Sequence, residues 1–196
     1  MAKVLVTGFE PFAGSSLNPS QLIVEALAGE PNLETLVLPV EYHAAAEVLA
    51  GFAARLSEFD AILCLGQAEG RTALSFERVA VNLDDAKLAD NSGEVRLDRA
   101  IDNDGPAAIF ATLPVKEMVA AVRAIGLPAE VSMTAGTFVC NHVFYRLQQL
   151  TAGSIVASGF IHVPPVHEQA DEFPGKLTMS LDDMVLGIKT AISVIG

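Results

Sequence analysis

The chain has 196 residues, 51% of them hydrophobic, enough for one domain with a substantial core and too few for two. Twelve lysines and arginines face twenty-four acidic residues, and the resulting formal net charge of −12 repels phosphate backbones and anionic lipid, which argues against nucleic acid as a partner. Charged residues make up 18% and no low-complexity tract interrupts the sequence, so disorder is not expected beyond the termini and one loop.

Short apolar runs alternate with helical patterns. KVLVTGF (3–9) predicts a first strand, buried on both faces because its apolar residues run on rather than alternate. After the loop EPFAGSSLN, Leu22, Ile23, Ala26 and Leu27 fall at helical spacing, and Gly29 stops the run. ETLVLPVEY (34–42) predicts a second strand, HAAAEVLAGFAARLSEF (43–59) an amphipathic helix, and DAILCLGQA (60–68) a third continuously apolar strand. LSFERVAVN (74–82) is β-rich. The polar, glycine-punctuated stretch 83–106 reads either as a functional loop or as a small hairpin excursion. Beyond it the pattern predicts a helix over 114–126, a strand over 130–135, a helix over 140–153, a strand over 154–164 and a terminal helix over 180–196 capped by Ser180 or Asp182.

This order predicts an α/β fold, a three-layer α/β/α sandwich with a mostly parallel, mixed central sheet, whose ligands gather at the carboxyl ends of the strands. No repeat or interdomain linker divides residues 1–196, which read as a single domain. Cys64, inside AILCLG, behaves as a small hydrophobe, and a secreted domain of this size would carry more cysteines than two. The start MAKVLVTGFE lacks the features of a signal peptide, and no apolar segment approaches the ~18 residues that span a bilayer. A reducing, cytoplasmic setting is expected, with no membrane contact.

Four strand ends carry unusual residues. The first runs into Gly8-Phe9-Glu10-Pro11-Phe12, which lacks the glycine spacing of a phosphate loop and offers two phenylalanines, of which at least one is expected to line a concavity. The third ends in Gly66-Gln67-Ala68-Glu69-Gly70-Arg71, either a site of close backbone approach to a ligand or an ordinary turn. Cys140 opens a helix, where free N–H groups and the helix dipole lower a thiol's pKa and can hold a developing oxyanion. A nucleophilic cysteine needs a base and a group to orient it. His142 is two residues away and does not face Cys140 on a helix, whereas His162 ends the strand GFIHVPP and reads either as that base or as a satisfied core residue. Glu77 is a charge inside an apolar β-run, and its partner is either Arg71 or Arg78, or a catalytic imidazole.

Together, VTGFEPFAG with NPS (6–20), LGQAEGR (65–71), ERVAVNLDDA (77–86), Asp90-Asn91, TAGTFVCNH (134–142) and GFIHVP (159–164) resemble the pyroglutamyl peptidase I family, also called pyrrolidone-carboxylate peptidases, over nearly the whole chain. The resemblance implies a cysteine peptidase that hydrolyses the amide bond after an N-terminal pyroglutamyl residue of peptides, through a thioacyl-enzyme. It places the nucleophile on Cys140, the histidine on His162 and the acid on Glu77. It places the substrate pocket on Phe9, Phe12, Phe138 and Val139, with Gln67 at the rim. It also implies no metal and no cofactor, a cytoplasmic location and a homotetramer.

Two positions depart from the family pattern. Lys87 stands where the family commonly has an arginine near the substrate carbonyl, and a lysine cannot reproduce the guanidinium fork. Glu69 replaces a glycine and adds negative charge near the expected mouth. Two rival readings fit a similar fold. A nucleoside-phosphorylase-like enzyme would need a phosphate site, for which the loops hold few basic residues; a non-catalytic module binding a small apolar ligand would leave Cys140 unreactive.

Overall fold

The computed structural model describes residues 2–196. In chain order the elements are β1 (Val4–Phe9), α1 (Pro19–Ala26), β2 (Leu33–Leu38), α2 (Tyr42–Ala50), β3 (Ala61–Gln67), β4 (Leu74–Glu77), β5 (Val79–Val81), β6 (Asp84–Ala86), β7 (Arg96–Arg99), β8 (Ala108–Phe110), α3 (Val115–Ala124), β9 (Ala129–Ser132), α4 (Val139–Leu150), β10 (Ala157–Val163) and α5 (Leu181–Ile192). The continuous apolar runs are the central strands, and every residue of β1 and β3 is buried.

Six strands form the main sheet in the order β2-β1-β3-β10-β4-β9. The first four are mutually parallel; β4 runs antiparallel to β10, and β9 follows β4 in parallel. The sheet is therefore mixed and mostly parallel. Helices α1, α3 and α5 pack on one face, α2 and α4 on the other. Side-chain alternation assigns β1 to these layers. Gly8 faces α1 so closely that a Cβ there would collide with the Ser20 carbonyl, while Phe9 turns to the opposite face and meets Phe160 at 6.5 Å between ring centroids.

Three local outcomes differ from the sequence pattern, and in a fourth stretch one of its two readings is found. The helix expected over 43–59 stops after Ala50, because Gly51 weakens the helix by about 1 kcal/mol, and a 3₁₀ turn over Ala53–Glu58 follows. There Phe52 and Phe59 pack together while Arg55 lies over both rings. Strand β2 ends before Pro39, which has no N–H to give to a ladder. The β-rich run 74–82 splits at Arg78, with β4 joining the main sheet and β5 pairing with β8. The stretch 83–106 carries a hairpin, β6 against β7. Among the described residues no helix is long and apolar enough to cross a membrane.

Candidate active site

The site is assembled by register. His162, near the carboxyl end of β10, stands beside Gly66 of β3 and opposite Ser75 of β4, and Glu77 lies two residues further along β4. Period-two alternation puts Gly66, His162, Ser75 and Glu77 on the same face, the one covered by α4. Cys140 is the second residue of α4, and its Sγ lies directly over Gly66: a Cβ built there would be 2.9 Å from the sulfur. Glycine thus makes room for the thiol over the strand next to that of the histidine.

The start of α4 is anchored from its side. Phe138 precedes it in extended conformation and no side chain caps it, so its first N–H groups have no helical partner. Asn141 accepts from the Val81 N–H at 3.0 Å and donates to the Val81 and Leu83 carbonyls at 2.9 and 3.0 Å. These bonds fix the helix terminus, and with it Cys140, to the strand that follows Glu77.

His162 and Glu77 are both buried, with Nδ1 of the ring 2.8 Å from Glu77 Oε1. A carboxylate only accepts, so Nδ1 carries the proton and the opposite nitrogen is left as the basic one. The same Oε1 accepts from Arg71 Nη2 at 3.0 Å, and that nitrogen also donates to Ser132 Oγ and the Thr134 carbonyl at 3.0 and 2.7 Å. Both partners considered for Glu77, an arginine and an imidazole, therefore share one oxygen. Arg78 instead donates to the Ala111 carbonyl and lies over Phe110.

Cys140 and His162 line a common cleft of about 470 Å³, together with Phe12, Gln67, Arg71 and Phe138. Behind the thiol is a recess of only about 10 Å³, walled by Phe9, Phe12, Phe138 and Val139, with Asn18 and Gln67 as its polar members. Phe12 and Phe138 lie 6.2 Å apart, and Tyr42 meets Phe138 edge-on at 5.7 Å. Lys87 is exposed at the end of β6 and lines neither space.

The other histidines are engaged elsewhere. His142 is buried against Asp84 at 2.9 Å, His43 lies beside Arg96, and His167 meets Thr178. Among the described residues no group of three or more His, Cys, Asp or Glu could hold a metal ion. Asn18 was not singled out from sequence as a site residue, and Arg71 only as one alternative partner of Glu77. Asn18 had a local signal, since an asparagine before proline suits a helix start, and it does cap α1 through Ser20. The further bonds of Arg71, to the distant Ser132 and Thr134, had no local signal.

The thiol does not behave as a helix start alone predicts. Burial pushes the Cys140 thiol up to about 12, the charge of Glu77 and the nearby Cys64 add to the shift, and only its own backbone N–H opposes it. Desolvation favours the neutral form of the thiol and works against the helix start.

A thiol beneath a helix terminus, an imidazole at a neighbouring strand end and a carboxylate behind it are the parts of a cysteine-type hydrolase built on a three-layer α/β/α sandwich. The chain belongs to the pyroglutamyl peptidase family, whose sequence model matches residues 2–196. It is 50% identical to a pyrrolidone-carboxylate peptidase of Cupriavidus pinatubonensis, over 98% of this chain and 92% of that protein, and 44% identical to one of Streptococcus suis with the same coverage. Its fold superimposes on the crystal structure of Bacillus amyloliquefaciens pyroglutamyl peptidase I with a TM-score of 0.94 at 38% identity, covering 100% of this chain and 97% of the other. A mutant pyrrolidone carboxyl peptidase from the hyperthermophile Pyrococcus furiosus gives 0.92 at 38% identity, covering 98% and 97%. The chain is accordingly a cysteine-type peptidase that removes N-terminal pyroglutamate.

Proposed function

We propose that Cys140, His162 and Glu77 carry the family's reaction in this chain, and that Phe9, Phe12, Phe138, Val139 and Gln67 hold the pyroglutamyl ring. The observation that carries the assignment is the 2.8 Å bond from His162 to Glu77 on the strand row over which the Cys140 sulfur sits.

His162 takes the thiol proton, which burial holds on the sulfur until the attack, and so acts as general base. The sulfur bonds to the pyroglutamyl carbonyl carbon, the proton passes to His162, and the carbonyl oxygen takes the negative charge. The free Cys140 N–H at the start of α4 faces that charge. Glu77 stabilises the positive charge that His162 acquires. As the tetrahedral species collapses, the C–N bond breaks and His162 returns the proton to the departing amine. Water then attacks the thioester with His162 again taking a proton, and the free thiol is restored. Lys87 makes no contact at the thiol, so the oxyanion role falls to the backbone.

The substrate ring is a flat, neutral lactam without a free amine. Phenylalanine faces suit its surface, and the Gln67 amide at the rim can pair with its polar edge. Proline lacks the ring carbonyl and would leave buried polar groups unpaired. The two free cysteines fit a reducing, cytoplasmic setting; a homotetramer is carried over from the family resemblance and is checked by light scattering.

The test is release of a fluorogenic amine from pyroglutamyl, prolyl and glutamyl conjugates. Only the first should turn over, and Cys140→Ser should lose at least about 10³-fold in kcat with its circular dichroism unchanged. Comparable activity in that variant ends the assignment.

A further inference from the structure

The catalytic cleft continues past Gln67. Phe12, Gln67, Ala68 and Gly70 line it and also line a second cavity of about 760 Å³. The wall of that second cavity holds two carboxylates, Glu69 and Glu172, and no lysine, arginine or histidine. Among the described residues neither carboxylate is one that a cation pairs with; those are Glu30, Glu34, Glu58, Glu77, Asp84, Glu94 and Glu130. Arg71, next to Gly70, is turned away onto Glu77, Ser132 and Thr134. The nearest lysines along the chain, Lys87 beside the lining residue Leu88 and Lys176 beyond Phe173, are exposed and line none of this space.

A substrate with its first ring in the phenylalanine recess and its scissile carbonyl at Cys140 must send the rest of its chain out of the cleft. One exit leads across Gln67 and Gly70 into this cavity. We propose that the second cavity receives the leaving peptide, and that Glu69 and Glu172 make the enzyme favour peptides with a lysine or arginine soon after the pyroglutamyl residue and disfavour acidic ones. This inference rests on the catalytic reading above.

Both carboxylates are exposed, so each acts through solvent and salt. Exposed pairs of this kind change an equilibrium by a small factor each, and two together give about a three- to tenfold preference at low ionic strength. The preference should appear in kcat/KM and shrink with added salt.

The experiment compares pyroglutamyl tetrapeptides that differ only in carrying lysine, glutamine or glutamate at the second and third positions. Hydrolysis is followed by the new amine at about 20 mM and about 500 mM salt, on either side of physiological screening. The expected order is lysine over glutamine over glutamate at low salt, collapsing at high salt. The Glu69→Gln/Glu172→Gln double variant should bring the lysine-to-glutamate ratio close to one, whereas Glu117→Gln, exposed at the start of α3 by the opposite end of β10, should keep it. If the order survives in the double variant, the net charge of the whole molecule is the cause and the proposal is overturned. It is overturned equally if no order exists while an uncharged pyroglutamyl conjugate is turned over. Failure of that conjugate as well would instead sink the catalytic reading.

Discussion

Replacing Gly66 by alanine tests the position of the nucleophile without altering it. The added Cβ would lie 2.9 Å from Cys140 Sγ and 2.8 Å from Phe160 Cζ, where ordinary contacts begin at 3.4 Å, so the shortfall to the sulfur is about 0.5 Å. The Phe160 ring cannot easily give way, since Phe9, Phe144 and His162 surround it at 6.5, 5.8 and 4.8 Å between centroids. The backbone at Gly66 must therefore draw back from the ring, and the thiol above it is displaced as well. A 1 Å displacement of a reacting group costs about 10²-fold, so half that distance costs about tenfold, or about 1.4 kcal/mol of transition-state stabilisation. Gly66 has no positive φ, and alanine alone would favour the strand by about 0.5–1 kcal/mol, against an overpacking cost of about 1–3 kcal/mol. The variant should thus be folded and about 1–2 kcal/mol less stable, with kcat reduced about tenfold and KM changed less. The assay is steady-state release of the fluorogenic amine beside urea denaturation. A folded variant with kcat/KM within about twofold of the parent refutes the placement of the sulfur over this glycine.

Three further outcomes are expected. His162→Ala should lower kcat/KM by about 10²–10⁴-fold and Glu77→Gln by less, since Glu77 acts through the ring; the opposite ranking would mean that the two roles are exchanged. Arg71→Ala leaves Glu77 buried with one partner instead of two and should destabilise the fold by about 3 kcal/mol in urea unfolding; no loss would show that the guanidinium is dispensable to the carboxylate. Burial pushes the Cys64 thiol up to about 12, with the Thr7 hydroxyl opposing the shift, so its contribution to stability is full below the ordinary thiol range and is lost as pH rises toward 12. Between pH 9 and 12 Cys64→Ala should show a decline in stability shallower by up to about 1.4 kcal/mol per pH unit; parallel curves for variant and parent would contradict this.

Strand and helix order was legible because the central strands are buried on both faces and so appear as unbroken apolar runs, as in KVLVTGF and AILCLG. The direction of β4 was not legible, since an apolar run looks the same whichever way it enters a sheet, and the LSFERVAVN run gives no sign that Arg78 divides it between two sheets. Within the site, Cys140 and His162 were visible by position, at a helix start and a strand end. Glu77 was visible as a charge where none should be, but its choice of partner depended on Arg71 and His162 arriving from opposite directions along the chain. The effect of burial on the thiol was not legible, for a definite reason. The helix dipole is written in the sequence, whereas the depth of the sulfur and its distance from Glu77 exist only after folding. Lys87 illustrates the converse, a position matched by motif whose side chain ends in solvent.

The aromatic recess beside Cys140, at about 10 Å³, has room for about one water and none for a five-membered ring. If these phenylalanines hold the ring as proposed, an arriving lactam parts Phe12 from Phe138 and gives up their ring-to-ring contact. Admission is therefore graded by how well a guest's faces replace that lost contact, and apparent affinity falls with the rarity of the parted state. Discrimination begins at the threshold, ahead of any chemistry at sulfur.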